Sequence, residues 1–144
     1  MKQLKVQVIS QEKPLLDTLA DLVLIPGVNG QLGILPDHIP LITKLQAGVV
    51  TIRRQRQDTL VAIGGGFATM EADNNLSILA DTAIKAEDIS LAEAEAAKHR
   101  AEVTMKQASS VSEREFRLAE AQLRRALVEL QVARKHKTYA NPRH

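Results

Sequence analysis

Residues 76–98, LSILADTAIKAEDISLAEAEAAK, contain the point at which the chain changes its structural character. In the first part, Leu76, Ile78 and Ala80 recur at every second position, which is the period of a half-buried β-strand. After Asp88 the sequence contains no glycine and alanine is the commonest residue, which lowers the cost of forming helix. The sequence therefore predicts a strand region followed by a helical region.

The region before residue 87 repeats this period of two in several short runs. Leu4, Val6 and Val8 alternate with polar residues, and further runs lie at 50–53 and 60–63. Turn-forming residues separate the runs at spacings too short for crossover helices: Pro26-Gly27, Asn29-Gly30, Gly48 and Asn74-Asn75. Short strands without such helices pair mainly antiparallel, so we expect residues 1–86 to form an antiparallel β-sandwich or flattened barrel.

Residues 87–137 are predicted to form an antiparallel hairpin of two helices, followed by a basic tail at 138–144. The first helix begins at Ser90, which forms a capping box with Glu93. A serine at 110 or 112 caps the second helix, paired with Glu113 or Glu115. The whole chain is thus expected to have an α+β fold.

The two helices differ in the size of the residues on their apolar faces. The first helix has a narrow stripe of mostly small residues: Ala94, Ala97, Ala101, Thr104, Met105 and Ala108. The second combines large residues and alanines at seven-residue intervals: Phe116, Ala119, Leu123, Ala126, Leu127, Leu130 and Ala133. Alanine buries little area, so we expect a marginal hairpin that can leave its resting surface at modest cost.

A second face of the second helix is basic. Residues 89–144 carry eleven Lys or Arg against seven Asp or Glu, whereas residues 1–88 carry eight against ten. The cations project to one arc: Arg114, Arg117, Arg124, Arg125 and Lys135. Leu118, Val128 and Val132 lie within or beside this arc, and a solvated face rarely needs them. This mixture favours contact with an acidic partner, although charge alone is also compatible with a helix face held in water.

Several classes of function find little support. The chain lacks cysteine, which excludes disulfides and thiolate catalysis, and three aromatic rings are too few for a platform that stacks nucleic acid bases. Gly64-Gly65-Gly66 is not followed by Lys-Ser or Lys-Thr, so close backbone packing or a bulge is expected there. The histidines lack metal-ligand spacing, and His38 beside Asp37 is interpreted as a turn. No stretch is long and apolar enough to insert into a membrane.

Two motifs resemble a known family. The segment from Ile25-Pro26-Gly27 through GQLGILPDHIPL at 30–41 is similar to the signature of epsilon subunits of bacterial-type rotary ATP synthases. Gly65-Gly66-Phe67, the segment 75–81 and the alanine-rich helices after Asp88 follow in the order and spacing of that family. The resemblance covers nearly all of residues 3–137.

The resemblance implies a non-catalytic rotor subunit on the cytoplasmic face of the cell membrane. In this family the sandwich binds the gamma subunit and rests on the ring of c subunits, and Gln31 and His38 match loop positions that face the ring. The hairpin of similar proteins extends into the catalytic head of alpha and beta subunits and blocks ATP hydrolysis. Arg117, Arg124, Arg125 and Lys135 would then meet an acidic segment of a beta subunit.

One departure from the family concerns ATP. Some relatives bind ATP through a motif of Ile or Leu, Asp, two residues, Arg and Ala, where this chain has Ile89-Ser90-Leu91-Ala92-Glu93-Ala94. A carboxylate at the position of the arginine repels phosphate. Arg100 and Arg125 match other basic positions of that site, so we expect weak ATP binding at most and no required cofactor.

A different class of function fits the same pattern of elements. A free-standing β-sandwich interaction module could use the helices as a dimerisation arm. Such a module would show a monomer–dimer equilibrium and no affinity for a gamma subunit.

Overall fold

A computed structural model describes residues 2–11 and 13–140, with side chains described as far as His136. Contacts along the chain divide it into two compact units, Met1–Ala86 and Glu87–His144. The first unit contains all of the described strands and the second contains the two α-helices.

The first unit is a β-sandwich made from one continuous sheet. Its strands follow the order β2-β1-β7-β6-β5-β3-β4, and β8 pairs with β6 beside this path. Their bounds are β1 Leu4–Ser10, β2 Lys13–Ala20, β3 Leu22–Gly27, β4 Gly30–Ile34, β5 Leu41–Arg54, β6 Gln57–Met70, β7 Asn75–Ala80 and β8 Ala83–Lys85.

Two long strands connect the layers of the sandwich. β5 and β6 have 14 residues each and pair along their length, from Leu41↔Met70 to Arg54↔Gln57. The other edge of β6 is shared, because its first half pairs with β8 and its second half with β7. Most pairs are antiparallel as predicted, but β1 and β7 pair in parallel. These two strands are far apart in sequence, so a tight hairpin does not fix their relative direction.

The core of the sandwich consists almost entirely of aliphatic side chains. Leu4, Val6 and Val8 are fully buried on β1, as their alternation predicts. They belong to one cluster with buried residues from β3 to β7. Burial of each Val, Leu or Ile side chain contributes about 1.5–3 kcal/mol, so this cluster is the main source of stability in the unit.

The predicted turns are correct at two places and wrong at two. Chain reversals occur around Asn29 and at residues 71–74, as expected. Pro26 and Gly27, in contrast, are the last two residues of β3, and Gly48 lies inside β5. Glycine is required at 48 because a Cβ there would lie 2.7 Å from the Cβ of Pro26. The glycine therefore permits a close approach between strands.

Close packing also explains the glycine run in β6. Gly66 has a φ of +145°, and a Cβ at this position would collide with the carbonyl oxygen of Leu79 on β7. A Cβ at Gly64 would collide with the hydroxyl of Thr82. This confirms the prediction of close backbone packing.

The second unit contains α1 (Leu91–Lys106) and α2 (Glu113–Ala140), preceded by a 3₁₀ turn at Ala86–Asp88. The Glu93 amide donates to the Ser90 hydroxyl at 3.2 Å, which caps α1. α2 begins after Ser112, whose hydroxyl accepts from the Glu115 amide and donates to its carboxylate. α2 includes residues 138–140 of the expected tail, and residues 141–144 lie outside the described part.

The two helices pack antiparallel with a seam rich in alanine. The buried residues of α1 are Ala94 and Ala101. Arg134 near the end of α2 lies 3.8 Å from Glu95 near the start of α1, consistent with the opposite directions of the helices. The buried residues of α2 within the described side chains are Ala119, Ala126, Leu130, Val132 and Ala133.

Two side chains of α2 differ from the prediction. Leu127 was expected in the buried stripe but is 46% exposed. Val132 was expected on the basic face but is buried. Leu127 projects to the border of the buried stripe, where a small departure from 100° per residue exposes a side chain, whereas the helical projection gives no account of the burial of Val132. Neither described helix combines the length and apolar character that a membrane crossing requires.

Candidate functional site

The first candidate surface is the segment formed by β4 and the loop at residues 35–40. Gln31 lies in β4 opposite Pro26, and its side chain is exposed. His38 lies in the loop and is half-buried. Its amide donates to the Leu35 carbonyl at 3.1 Å, and its Nδ1 lies 2.8 Å from the Ile39 carbonyl. Because a carbonyl oxygen can only accept, this contact is a hydrogen bond when Nδ1 carries the proton.

Exposed apolar side chains lie near His38 along the chain, and the sequence patterns did not single them out. Ile39 is 74% exposed and Ile42, at the start of β5, is 77% exposed. Leu32 and Leu35 are also exposed. The signal was present as Leu35 before Pro36 and Ile39 before Pro40 in a predicted loop, where burial is unexpected. Such a cluster at a loop tip is typical of a protein contact.

The loop is held by polar contacts to the rest of the sandwich. The Asp37 amide donates to Asn74 Oδ1 at 2.6 Å, and Asn74 Nδ2 donates to Asp37 Oδ1 at 3.2 Å. Lys2 Nζ lies 3.0 Å from Asp37 Oδ2. Hydrogen bonds from Lys2 and Asn74 lower the pKa of the Asp37 carboxyl below its ordinary value. Asp37 is therefore a structural carboxylate, consistent with the predicted turn.

A second apolar surface lies on the outer face of the sheet. Phe67 on β6 is paired with Leu79 on β7, and the two side chains are 50% and 54% exposed. On the other side of Phe67 its partner is Lys44 of β5. One of the three aromatic rings in the chain thus lies on the surface. Exposed aromatic and aliphatic residues side by side favour a protein partner.

The third candidate surface is the basic face of α2, where several arginines are already paired. The Arg117 guanidinium lies 2.6 Å from the Glu113 carboxylate, and that of Arg125 lies 2.8 Å from Glu129. Arg124 lies 3.8 Å from Glu120. These pairs join residues four apart on one helix and are exposed on at least the arginine side, so each contributes only about 0.3–0.5 kcal/mol. The arginines remain available to a stronger acidic partner.

Two further residues extend this face. Lys135 is exposed and forms no ion pair with any residue in the described part of the chain. Leu118 is exposed beside the arginines. At the start of α2 an open concavity of about 560 Å³ is lined by Glu113, Arg114, Arg117 and Leu118. Positive charge and apolar area therefore occur together there, as the sequence predicted.

The residues considered for ATP lie on different helices. Arg100 is exposed on α1, and Arg125 on α2 is paired with Glu129. Glu93 occupies the first turn of α1. Among residues 2–11 and 13–140, no group of three or more acidic or histidine side chains is arranged to hold a metal ion.

These features define a class of protein: a β-sandwich with exposed contact surfaces, continued by a helical hairpin with a basic face. Two family models match the chain in the same order. Residues 3–86 match the β-sandwich domain of the ATP synthase delta/epsilon chain, and residues 87–134 match its long α-helix domain. The chain belongs to the ATP synthase delta/epsilon chain family, as an epsilon chain of the rotary ATP synthase.

Curated relatives support the assignment along the whole length. The ATP synthase epsilon chain of Moorella thermoacetica is 42% identical over 134 residues, covering 92% of this chain and 98% of the relative. That of Dehalococcoides mccartyi strain BAV1 is 37% identical over 141 residues, covering 96% and 98%.

Solved structures share the fold at low sequence identity. A chain of the Euglena gracilis mitochondrial ATP synthase, from a structure of OSCP, F1 and c-ring, superposes with a TM-score of 0.76 at 20% identity. The match covers 93% of this chain and 82% of that one. A chain of the central stalk and c-ring of the Tetrahymena thermophila enzyme gives a TM-score of 0.57 at 11% identity, covering 92% and 97%.

Proposed function

We propose that this chain is a non-catalytic rotor subunit that couples the catalytic head to the proton-translocating c ring through the gamma subunit. The observation that carries the proposal is the match of both domains, in order, to epsilon chains. Its place is at the cytoplasmic face of the cell membrane, as a peripheral part of the complex.

The sandwich offers separate surfaces for the two rotor partners. The loop with His38 and the exposed Ile39, together with Gln31, is the contact for the c ring. The outer face with Phe67 and Leu79 is suited to the gamma subunit, because exposed aromatic and aliphatic side chains are common at the centres of protein interfaces.

The hairpin is proposed to inhibit ATP hydrolysis by extending into the catalytic head. Separation of an alanine seam exposes less apolar area than separation of a leucine seam, so the helices part at modest cost. In the extended state Arg117, Arg124, Arg125 and Lys135 contact an acidic segment of a beta subunit, close to the alpha subunits. Breaking the ion pairs between these arginines and the glutamates of the same helix costs little free energy, since exposed pairs four residues apart are weak.

Copurification and truncation test the function together. An affinity tag on this chain should bring down the gamma subunit, the c ring and the alpha and beta subunits. A chain ending at Asp88 should still assemble, because residues 1–86 form their own compact unit, but ATP hydrolysis by the complex should rise. A tagged chain that recovers only a second copy of itself would contradict the proposal and favour the dimerisation arm.

ATP is proposed to bind weakly at most, because Glu93 stands where a cation would meet phosphate. Isothermal titration calorimetry of the isolated chain with Mg-free ATP should detect no binding at micromolar concentrations. Glu93→Arg provides the matched variant and should bind more tightly than the natural chain. Micromolar affinity in the natural chain would contradict the expectation.

A further inference from the structure

The loop at residues 35–40 has few attachments to the rest of the sandwich. Pro36 and Pro40 have no amide hydrogen to donate. The two bonds of His38, to the carbonyls of Leu35 and Ile39, stay within the loop. In the part of the chain that the structure describes, Asp37 supplies the hydrogen bonds that join the loop to other elements.

Asn74, the hydrogen-bond partner of Asp37, is held in position by the sheet. The Asn74 carbonyl accepts from the amide of Lys5 on β1 at 2.8 Å. Asn74 also directly precedes β7, which pairs with both β1 and β6. A bond to the Asn74 side chain therefore anchors the loop to the centre of the sheet.

Asp37 and Asn74 share an uncommon backbone conformation. Their φ angles are +68° and +66°. Aspartate and asparagine tolerate this left-handed region better than other residues with a Cβ, because their short polar side chains form local hydrogen bonds. Here the side-chain bonds are reciprocal, since Asn74 accepts from the Asp37 backbone and donates to the Asp37 carboxylate. The Asn74 side chain thus holds both the backbone and the side chain of Asp37.

We propose that Asp37 and Asn74 are positioning residues that fix the loop bearing His38 and Ile39 for its contact with the c ring. This proposal rests on the proposed function of that loop. Neither residue needs to touch the partner. The pair sets the direction in which the exposed side chains of the loop point, so that binding does not require the loop to be ordered first.

The geometry allows the two side chains to be exchanged. In Asn74→Asp the donor to Asp37 is lost and two carboxylates face each other, so the loop should loosen. Adding Asp37→Asn restores a donor and an acceptor, because the new asparagine amide can donate to the new carboxylate. Asn74→Gly keeps the positive φ at no steric cost and removes both bonds. Gln57→Glu, at the exposed start of β6, is the control for the gain of one negative charge in Asn74→Asp.

The test measures binding of the full-length chain, in complex with its gamma subunit, to the purified c ring in detergent. Asn74→Asp and Asn74→Gly should each weaken binding about three- to tenfold, the effect of losing about one net hydrogen bond. Asp37→Asn/Asn74→Asp should recover to within about twofold of the natural chain. Hydrogen exchange of the His38 and Ile39 amides should rise in the single variants and return in the double variant.

The outcomes separate this proposal from the function on which it rests. If the natural chain does not bind the c ring, the assigned function of the loop is wrong. If the natural chain binds and both Asn74 variants bind equally well, the positioning role is wrong. If the Asn74 variants weaken binding and the exchanged pair does not restore it, the Asp37 carboxylate is needed for more than its bonds with Asn74, for example for its ion pair with Lys2, which also overturns the proposal.

Discussion

At the scale of single residues, a polar side chain stabilises a turn whose backbone conformation usually requires glycine. The turn between β5 and β6 has positive φ at both Gln55 (+53°) and Arg56 (+66°), a pattern that normally selects Asn-Gly. Asp21 Oδ2 accepts from the Gln55 amide at 2.8 Å, and Gln3 Nε2 donates to Oδ1 of the same carboxylate at 3.1 Å. A side chain more than thirty residues away along the chain thus stabilises an unfavourable turn.

This contact predicts a pH-dependent contribution to stability. Hydrogen bonds from the Gln55 backbone and the Gln3 side chain lower the pKa of Asp21 below its ordinary value. A lowered pKa in the folded state stabilises the protein above the unfolded pKa of about 3.9, and this stabilisation is lost as the pH falls through the folded value. Asp21→Asn should therefore be less stable than the natural chain at pH 7 and pH 5, with a smaller difference at pH 3.

Urea unfolding at the three pH values measures this difference. Asp17→Asn, measured in parallel, separates loss of the turn contacts from the removal of one negative charge. A stability difference for Asp21→Asn that does not change between pH 7 and pH 3 would show that the carboxylate contributes nothing to the turn.

At the scale of elements, α2 combines two roles on two faces. One face contributes Ala119, Ala126 and Leu130 to the buried side of the hairpin. The other carries Arg124 and Arg125, each paired with a glutamate four residues away. The ion pairs within the helix partly neutralise these arginines and are weak. The same arginines can therefore exchange their glutamates for the carboxylates of another acidic surface.

Replacement of both arginines tests the role of this face. Arg124→Ala/Arg125→Ala should relieve inhibition of ATP hydrolysis about two- to tenfold, because exposed or partly exposed charge pairs are each worth about 0.2–1 kcal/mol. The measurement is the hydrolysis rate of the assembled complex. Glu120→Gln/Glu129→Gln is the matched variant, and it should strengthen inhibition by freeing the same arginines. Unchanged rates in the arginine variant would rule out this contact.

Sequence patterns were sufficient to predict some features of the secondary-structure elements and not others. The alternation in β1 and the cap at Ser90 were correctly predicted, and Ser112 is one of the two serines predicted for the second cap, because burial period and capping are properties of residues close in sequence. β5 and β6 were predicted as short runs rather than strands of 14 residues. The sequence predicts a break at Gly48 because no local rule distinguishes a turn glycine from one required by a neighbouring strand.

At the scale of the whole molecule, the two units are built from different kinds of core. The sandwich buries one continuous cluster of mainly Val, Ile and Leu. The hairpin buries only alanines on α1 and mainly alanines on α2. Because hydrophobic stabilisation scales with buried apolar area, each buried residue contributes more to the stability of the sandwich than to that of the hairpin. This difference between the two cores is the physical basis of the proposed inhibition of ATP hydrolysis by the hairpin.

The sequence by itself determined the α+β order, the change at Asp88, the alanine seam and the basic face of α2, because each depends on residue size, charge and spacing along one element. The tertiary structure decided the parallel pairing of β1 with β7, the exposure of Phe67 beside Leu79 and the bond between Asp37 and Asn74. These features join residues that are not adjacent along the chain, and periodicity within one segment carries no information about which distant segment it meets.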